Sequence, residues 1–292
     1  MSRTAFSIKA AGSVSERLLA RSVGTLLVMH VLAAFALFNA SWEALIAFLS
    51  FHFVAGCLGG VVGFHRLLSH GSFRTHRVVR GVFALFGTLM FQGGPLFWSA
   101  IHRAHHEHNE ERGDAHSAKR GFLWSHFVWS LFSSPNGYSH LRGFGRIKDL
   151  TTSNWLRFLD KYHLEVNVGT AVVIWGITRR LDIVLWAFPL RIVVFWHSTW
   201  LLNSYCHGAG IRAGGNTRLK NSWWVALLTY GEGWHANHHL RPDSSSLQFR
   251  WWQYDPGYYV IKGLQKMRIV GQTKKTRSGR RLGSEHRGRK AS

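Results

Sequence analysis

The chain alternates long apolar runs with polar, histidine-rich stretches. The first two runs, Val23 to Phe38 and Trp42 to Phe64, follow each other closely, and each approaches the roughly 20 residues that a membrane-spanning helix needs. They predict a transmembrane hairpin. Its turn, Asn39 to Glu43, lacks Lys and Arg. Because cytoplasmic loops carry the excess of these residues, we expect the turn on the non-cytoplasmic side.

A second and weaker pair of runs lies further along the chain. Leu164 to Ile177 is short for a span, and Ile183 to Leu202 contains Arg191 and His197. The brief turn between them, Thr178 to Asp182, predicts another down-and-up pair of helices. Two hairpins would return the chain to the cytoplasmic side each time.

A fifth run, Gly81 to Ile101, carries no charged residue. The Gly93-Gly94-Pro95 sequence breaks it, since proline disrupts a helix interior and glycine favours turns. A crossing here would also put the histidines before it and after it on opposite faces of the bilayer. We therefore expect this run to lie in the membrane interface.

These patterns predict an all-α membrane protein with four transmembrane helices under a cytosolic helical cap. Residues 1–21 are expected to be a cytosolic lead-in, 22–270 a single domain, and 271–292 a basic, disordered tail, because the tail has few apolar residues to bury. The expected spans are 22–41, 42–64, 164–181 and 183–205, and the expected cap consists of 65–162 and 206–270.

Charge narrows the choice of partners. The formal net charge of +22 favours an anionic surface, and a bilayer is favoured over nucleic acid because no recognition fold accompanies the charge. The two cysteines, Cys57 and Cys206, predict no disulfide framework. We expect a multi-pass protein with both termini in the cytosol, in a bacterial inner membrane or the equivalent endoplasmic reticulum or plastid membrane.

Histidines supply the candidate chemistry. Positions three and four apart share a helix face, so the imidazoles of a His-x-x-His-His sequence can converge on one point. This spelling occurs twice, and further histidines lie at span ends. Crowded imidazoles are favourable when they ligate a metal. The nine predicted ligands are His65, His70, His102, His105, His106, His207, His235, His238 and His239.

Nine imidazoles exceed the four ligands of one structural zinc, so they indicate two metal ions. Nitrogen-rich coordination with a redox role points to iron. A zinc hydrolase is disfavoured because the helical His-Glu-x-x-His spelling is absent. A metal transporter would hold its ligands at mid-membrane, and these histidines lie at span ends. Glu232, Trp234 and Asn237 accompany the last cluster, where we expect supporting roles.

From about Trp42 to Lys266 the chain resembles the membrane fatty-acid desaturases of the stearoyl-CoA desaturase type. The stretches that carry the resemblance are Gly63-Phe-His-Arg-Leu-Leu-Ser-His70, Phe91-Gln92, His102-Arg-Ala-His-His106, Asp114-Ala-His-Ser117, Arg120-Gly-Phe-Leu-Trp-Ser-His126, Thr199-Trp-Leu-Leu-Asn-Ser204 with His207, and Asn221 to His239.

The resemblance implies a mushroom-shaped fold and a di-iron centre held by the nine histidines. It implies that Asn203 reaches one metal through water, and that His116 and His126 orient ligands. No catalytic residue is expected beyond the metal ligands. The implied reaction is dioxygen-dependent insertion of a cis double bond, commonly at the ninth carbon, into a long saturated acyl chain.

The substrate is expected in a narrow apolar tunnel that excludes water. The resemblance implies that Gln92, Trp98, Thr199 and Trp200 contact it, with Thr199 and Trp200 at the bend of the tunnel. Acyl-CoA enzymes of the family carry charged residues where this chain has the uncharged segment Gly93 to Ile101. An acyl-lipid substrate is therefore as well supported as acyl-CoA.

The sequence shows no fused b-type haem domain, so a separate electron donor is expected, either ferredoxin or a b-type cytochrome with its reductase. Such donors are acidic as a rule, which suits the basic cap. A hydroxylase remains the alternative enzyme, because similar membrane di-iron proteins place oxygen on carbon. His30, His52 and His197 fall in predicted spans, where we expect bonds to neighbouring helices.

Overall fold

The computed structural model describes residues 7–8, 16–111, 113–133, 144–208 and 219–274, and these residues are mostly helical. In chain order the main helices are α1 Ala20–Ala36, α2 Trp42–Ser69, α3 Arg77–Thr88, α4 Pro95–His108, α5 Phe122–His126, α6 Phe144–Thr151, α7 Asn154–Lys161, α8 His163–Thr178, α9 Leu181–Cys206, α10 Trp223–Leu228, α11 His235–Leu240 and α12 Pro256–Lys266. Two short 3₁₀ turns, Ala118–Arg120 and Val128–Leu131, flank α5.

Two of these helices, α2 and α9, are long and apolar enough to cross a membrane by length and composition. The neighbouring α1 and α8 are apolar but shorter, with 17 and 16 residues. Both end before the predicted spans 22–41 and 164–181 do. α1 gives way to a turn after Ala36, and α8 stops where Arg179 adopts the left-handed conformation, with φ of 54°.

The turns of the two helix pairs meet at one end of the bundle. The Ser41 hydroxyl accepts the Ala44 N–H at 3.1 Å, which caps α2, and lies 2.5 Å from Oδ2 of Asp182. Arg180 pairs with Glu43 at 3.2 Å and with Asp182 at 2.7 Å. These polar contacts join the α1–α2 turn to the α8–α9 turn.

Glycines in α2 let α3 pack close against it. A Cβ on Gly59 would lie 2.2 Å from the carbonyl carbon of Phe86, so no other residue fits there. From Phe53 to Ser69 this helix is wound as a π-helix. The wider winding accompanies the close contact with α3 and continues to the histidines at the end of α2.

The uncharged run from Gly81 to Ile101 is divided between α3 and α4, and the break predicted at Gly93-Gly94-Pro95 is present. Gly93 has φ of 91°, a conformation that favours glycine. Asp160 of α7 then caps α4, because its Oδ1 accepts the N–H groups of Leu96 at 3.0 Å and Phe97 at 2.8 Å.

A compact apolar core lies between α2, α3, α4, α7 and α12. Phe64, Leu68, Phe83, Leu159 and Ile261 are buried within it. The core fixes the end of α2 against α4, and this contact sets the relative positions of the histidines on those two helices.

Two small antiparallel sheets complete the described structure. Strands β1 (Ser7–Ile8), β2 (Glu16–Leu18) and β4 (Phe132–Ser133) form one, and β3 (Phe73–Thr75) pairs with β5 (Val270–Thr273) in the other. Because β5 crosses the predicted domain limit at residue 270, regular structure extends beyond that limit. Residues 275–292 of the predicted tail lie outside the described residues.

Candidate metal centre

Five imidazoles converge where α2, α4 and α11 meet. His65 lies near the end of α2 and His70 follows it, His102 and His106 lie on α4, and His238 lies on α11. The Nε2 atoms of His70 and His102 are 2.7 Å apart, those of His65 and His238 3.1 Å, and those of His106 and His238 2.8 Å. We call these residues the five-histidine group; one ligand atom from each lies within 4.8 Å of every other.

Four further imidazoles form the four-histidine group. His105 lies on α4, His207 directly follows α9, and His235 and His239 lie on α11. Their Nε2 atoms are 2.9 Å apart between His207 and His235, 3.2 Å between His235 and His239, and 3.4 Å between His105 and His239. The nine predicted ligands thus fall into two compact groups.

The two groups are adjacent, but the triplet on α4 is shared between them. Sequence analysis placed His102, His105 and His106 at one point. In the structure His102 and His106, four residues apart, join one group, while His105 joins the other. Consecutive helix residues are about 100° apart around the axis, so neighbours point to different sites. Across the groups, the rings of His106 and His239 have centroids 4.4 Å apart.

The spacing of the nitrogens fits metal coordination. Imidazole nitrogens bind metals at about 2.1 Å, which places neighbouring ligand nitrogens about 3.0 to 3.4 Å apart at angles of 90° to 109°. The measured Nε2 separations run from 2.7 to 3.4 Å. Each group therefore offers the donor atoms and the spacing that one metal ion requires.

Carboxylates lie behind three of the imidazoles. Oε2 of Glu232 is 2.8 Å from Nδ1 of His65. Oδ2 of Asp114 is 2.9 Å from Nδ1 of His105, and Oε1 of Glu110 is 2.7 Å from Nδ1 of His207. Such a carboxylate holds the proton on Nδ1 and leaves the Nε2 lone pair for a metal. Facing Nε2 lone pairs repel one another, so a cation between them fits the arrangement.

A tight loop after α4 holds two of these carboxylates. Asp114 accepts the N–H groups of Glu110 at 3.1 Å and His116 at 3.2 Å. Glu110, at φ of 66°, accepts Ser117 Oγ at 2.8 Å and Lys119 N–H at 3.1 Å. Burial alone would raise the pKa of Glu110, but the contacts with His207 and Ser117 outweigh it and lower the pKa. This loop therefore presents anions to the four-histidine group.

The sequence pointed to one of the three carboxylates. It predicted a supporting role for Glu232, and the structure places that carboxylate against His65. It assigned no role to Asp114, although that residue stands in a motif with His116, and it passed over Glu110. The only signal for Glu110 was its place just beyond the histidines of α4.

Burial favours the neutral form of several of these imidazoles. It is the largest cause lowering the pKa of His102, His105, His235 and His238 well below the ordinary value of 6.5. Neighbouring imidazoles lower these pKa values further. Neutral imidazole is the form that ligates metals, so the ligands are ready for binding at neutral pH.

A cavity of about 450 Å³ runs beneath the two groups. Imidazoles of both groups face it, including His65, His102, His105 and His235. Most of the remaining wall is apolar or aromatic. The wall includes Leu19, Arg21, Gly60, Met90, Gln92, Trp98, Phe195, Thr199, Trp200 and Asn203.

All four predicted substrate contacts line this cavity, and three of them are linked. Gln92 Nε2 donates to Thr199 Oγ1 at 2.6 Å, and Trp98 Nε1 donates to Gln92 Oε1 at 3.3 Å. Trp200 lies one residue beyond Thr199 in the same wall. Asn203 lines the cavity too, and its water-mediated role stays a prediction.

The lining residues of the cavity differ in exposure. Gly60, Met90 and Phe195 are buried, and a Cβ on Gly60 would lie 2.5 Å from Met90 Sδ. Leu19 and Arg21, around the start of α1, are exposed to solvent. The wall around Gly60 is therefore closed off by protein, whereas the wall at Leu19 and Arg21 reaches the surface.

The two predicted supporting histidines differ in position. His116 forms a third cluster with His105 and Asp114, and its ring centroid is 4.5 Å from that of His105. The hydrogen bonds of His126 go to Ser204 at 2.9 Å and to His197 at 3.0 Å.

Two of the three histidines within the predicted spans bond to a neighbouring helix, as predicted, and His52 bonds instead to a residue in a turn. His30 of α1 lies 3.0 Å from His197 of α9, Nε2 to Nε2. His52 of α2 lies 2.6 Å from the Tyr230 hydroxyl.

Together the helical fold, the paired imidazole groups and the apolar cavity define a protein whose histidine clusters could hold metal beside an apolar cavity. Residues 40–273 match the family model for fatty acid desaturases. The chain belongs to the fatty acid desaturase family and is an oxidoreductase acting on fatty-acyl substrates.

Its curated relatives include lipid and acyl-CoA desaturases. The sn-2 palmitoyl-lipid 9-desaturase of Nostoc sp. (strain 36) is 36% identical over 261 residues, covering 89% of this chain and 90% of that protein. The sn-1 stearoyl-lipid 9-desaturase of Anabaena variabilis is 36% identical over 249 residues, covering 84% and 90%. The icosanoyl-CoA 5-desaturase of Limnanthes douglasii is 36% identical over 254 residues, covering 86% and 70%.

Proposed function

We propose that the five- and four-histidine groups each hold one iron ion, and that the pair is the catalytic centre of an acyl-lipid desaturase. The observation that carries this proposal is the convergence of nine Nε2 atoms in two adjacent sets at the wall of an apolar cavity. Bound iron would supply, with dioxygen, the oxidising power to remove hydrogen from an unactivated methylene pair, which no side chain can do alone.

The protein's part is to place one carbon pair of the acyl chain beneath the imidazoles. The acyl chain would enter beside the exposed Arg21, pass His65 and His102, and stop against the buried Gly60 and Met90. The Gln92–Thr199 hydrogen bond would hold the cavity wall in shape at the bend. The apolar wall would keep water from the reacting carbons.

We propose a cis double bond at the ninth carbon and an acyl-lipid substrate. Two relatives that align over 90% of their own length are named as lipid 9-desaturases. The absence of charge from Gly93 to Ile101 agrees with this choice. One relative is named as an icosanoyl-CoA 5-desaturase. An experiment must therefore distinguish an acyl-lipid from an acyl-CoA substrate, and the ninth carbon from other positions of the double bond.

We propose that α1, α2, α8 and α9 all span the membrane within one desaturase domain, with both termini in the cytosol. Each helix exposes large apolar side chains that water would disfavour, among them Val31, Leu49, Val172 and Val194. A multi-pass arrangement also agrees with the meeting of the two helix turns at one end of the bundle.

We propose a separate, acidic electron donor, either ferredoxin or a b-type cytochrome. Exposed basic residues of the cap, including Arg241, Arg250, Lys262 and Lys266, would attract it. Electrostatic docking weakens as salt screens it. The rate of reduction by the donor should fall steeply between low and high salt, and a salt-independent rate would remove this docking idea.

Expression in a host that lacks its own desaturase tests the function. Mass spectrometry of the lipids should show monounsaturated chains with the bond at the ninth carbon, esterified in membrane lipid. A host expressing His238→Ala serves as the control and should show saturated chains only. Hydroxylated chains would indicate a hydroxylase instead, and products confined to acyl-CoA would overturn the lipid assignment.

A further inference from the structure

Arg66, the residue after the ligand His65, is 1% exposed and contacts two carboxylates. Its Nε and Nη2 donate to Oε1 of Glu232 at 3.2 and 2.9 Å. Its Nη1 donates to Oδ2 of Asp255 at 3.2 Å and to the Ser245 carbonyl at 2.9 Å, and Nη2 lies 2.9 Å from Oδ1 of Asp255. The guanidinium therefore joins the two carboxylates across the interior of the cap.

Asp255 is itself fixed by the backbone around it. It is fully buried, its Oδ2 accepts the Leu247 N–H at 2.8 Å, and its Oδ1 accepts the Tyr258 N–H at 3.0 Å at the start of α12. Gly257 allows the close approach of Arg66, since a Cβ there would lie 3.2 Å from Cζ of Arg66. The carboxylate therefore has little freedom to move.

The other end of the chain of contacts reaches a predicted metal ligand. Glu232 uses Oε1 for Arg66 and Oε2 for Nδ1 of His65, 2.8 Å away. Glu232 is itself buried, so both of its carboxylate oxygens are held by these contacts and neither faces solvent. Asp255, Arg66, Glu232 and His65 thus form one continuous relay from α12 to the five-histidine group.

Arg103, which follows the predicted ligand His102 on α4, pairs with a carboxylate that contacts no predicted ligand among the described residues. Arg103 also forms a two-pronged pair with a carboxylate, Asp149, at 2.7 and 2.9 Å. The Asp149 side chain is 60% exposed. The remaining Arg103 contacts are backbone carbonyls, those of Ser69, Leu68 and Arg146. The Arg103–Asp149 pair is therefore a matched control within the same protein.

We propose that Asp255 and Arg66 are positioning residues for the metal ion of the five-histidine group. Together they hold Glu232 so that His65 keeps its proton on Nδ1 and turns Nε2 towards the metal. Glu232 placed only by its own backbone could rotate, because its side chain has three torsions. This inference rests on the proposed metal ligands. It assigns a positioning role to Asp255, which lies outside every histidine motif of the sequence.

The test measures iron(II) binding to the purified full-length chain in detergent, without oxygen, for Asp255→Asn and the control Asp149→Asn. Loss of such a supporting contact typically costs 10- to 100-fold in metal affinity. We expect Asp255→Asn to bind one iron ion as tightly as the unaltered chain and the second about 10- to 100-fold more weakly. Asp149→Asn should bind both ions normally.

A second variant guards against a folding defect. If Asp255→Asn does not yield folded protein, Glu232→Gln keeps the Arg66–Asp255 pair and should weaken the same single site. Arg66→Lys should restore part of the affinity relative to Arg66→Met, because it keeps a charge but not the fork. Normal binding of both ions in folded Asp255→Asn or Glu232→Gln, or equal weakening of both, would overturn the proposal. Failure of the unaltered chain to bind two ions would instead count against the proposed function.

Discussion

The five- and four-histidine groups use the same ligand but are supported differently. Each takes ligands from α4 and α11. The five-histidine group adds two ligands from the end of α2, and the four-histidine group adds one from the end of α9. The five-histidine group is backed by Glu232, which Arg66 ties to α12. The four-histidine group is backed directly by Asp114 and Glu110 of one short loop.

The difference shows that equal ligand chemistry does not require equal surroundings. One group depends on a fixed interior ion network, and the other on a loop whose backbone N–H groups hold its carboxylates. A change in either support should therefore affect one metal more than the other.

Removing one ligand from each group should have the largest effect. His238→Ala deletes an imidazole of the five-histidine group, and His235→Ala one of the four-histidine group. Each variant should lose one metal ion and essentially all turnover, because oxidation needs both. Metal analysis and lipid product analysis measure the two losses. Turnover near the normal level in either variant would show that the residue is not a ligand.

Weakening the loop should affect the four-histidine group alone. Asp114→Asn removes the charge behind Nδ1 of His105. We expect the affinity for one metal ion to fall about 10- to 100-fold while the other is retained. Asp243→Asn, a change at an exposed carboxylate 3.8 Å from Lys274, is the control and should bind metal normally. Loss of the same ion as in His238→Ala would contradict the separation of the groups.

A change in the cavity should leave both groups intact. In Gly60→Ala the new methyl group would meet Met90 Sδ and reduce the space in the buried part of the cavity. We expect this variant to keep two bound metal ions. Its kcat/KM for 18-carbon chains should fall roughly tenfold relative to that for 16-carbon chains, because one methylene changes the discrimination of an apolar pocket by about 10- to 200-fold. Gly169→Ala on α8, which has open space around it, should keep the normal preference. An unchanged preference in Gly60→Ala would place the end of the acyl chain elsewhere.

Acid should lower the free energy of unfolding through the imidazoles of both groups. Burial first, then neighbouring imidazoles, lowers the pKa of His106 to about 3 in one group and lowers that of His105 well below 6.5 in the other. Below pH 6.5 the unfolded chain binds these protons and the folded chain does not. The free energy of unfolding of metal-stripped protein should therefore fall by about 1 kcal/mol per such imidazole between pH 6.5 and 5.5.

Thermal unfolding of metal-stripped protein in detergent across this pH range measures the effect. The unfolding temperature should drop on acidification, and bound metal should reduce the drop because it competes with protons. An unfolding temperature that is constant from pH 7.5 to 5.5 would mean that the imidazoles are not held neutral by burial.

The sequence predicted that nine histidines would come together, that the apolar runs would form two helix pairs, and that the chain would break before α4. These features depend on residue spacing and apolar runs, which are local properties of the sequence. The sequence did not separate His105 from His106, since the assignment depends on which neighbours α4 meets. It did not find Glu110 or the partners of Arg66, which come together only through contacts between distant segments. Strand β5 was missed because its pairing with β3 spans most of the chain.

The metal content of the purified, active chain tests whether the nine histidines form two separate metal sites. Two adjacent imidazole groups predict about two iron ions per chain, with one lost on changing His238 and the other on changing His235. A single ion shared by all nine histidines, with both variants losing it together, would contradict two separate sites.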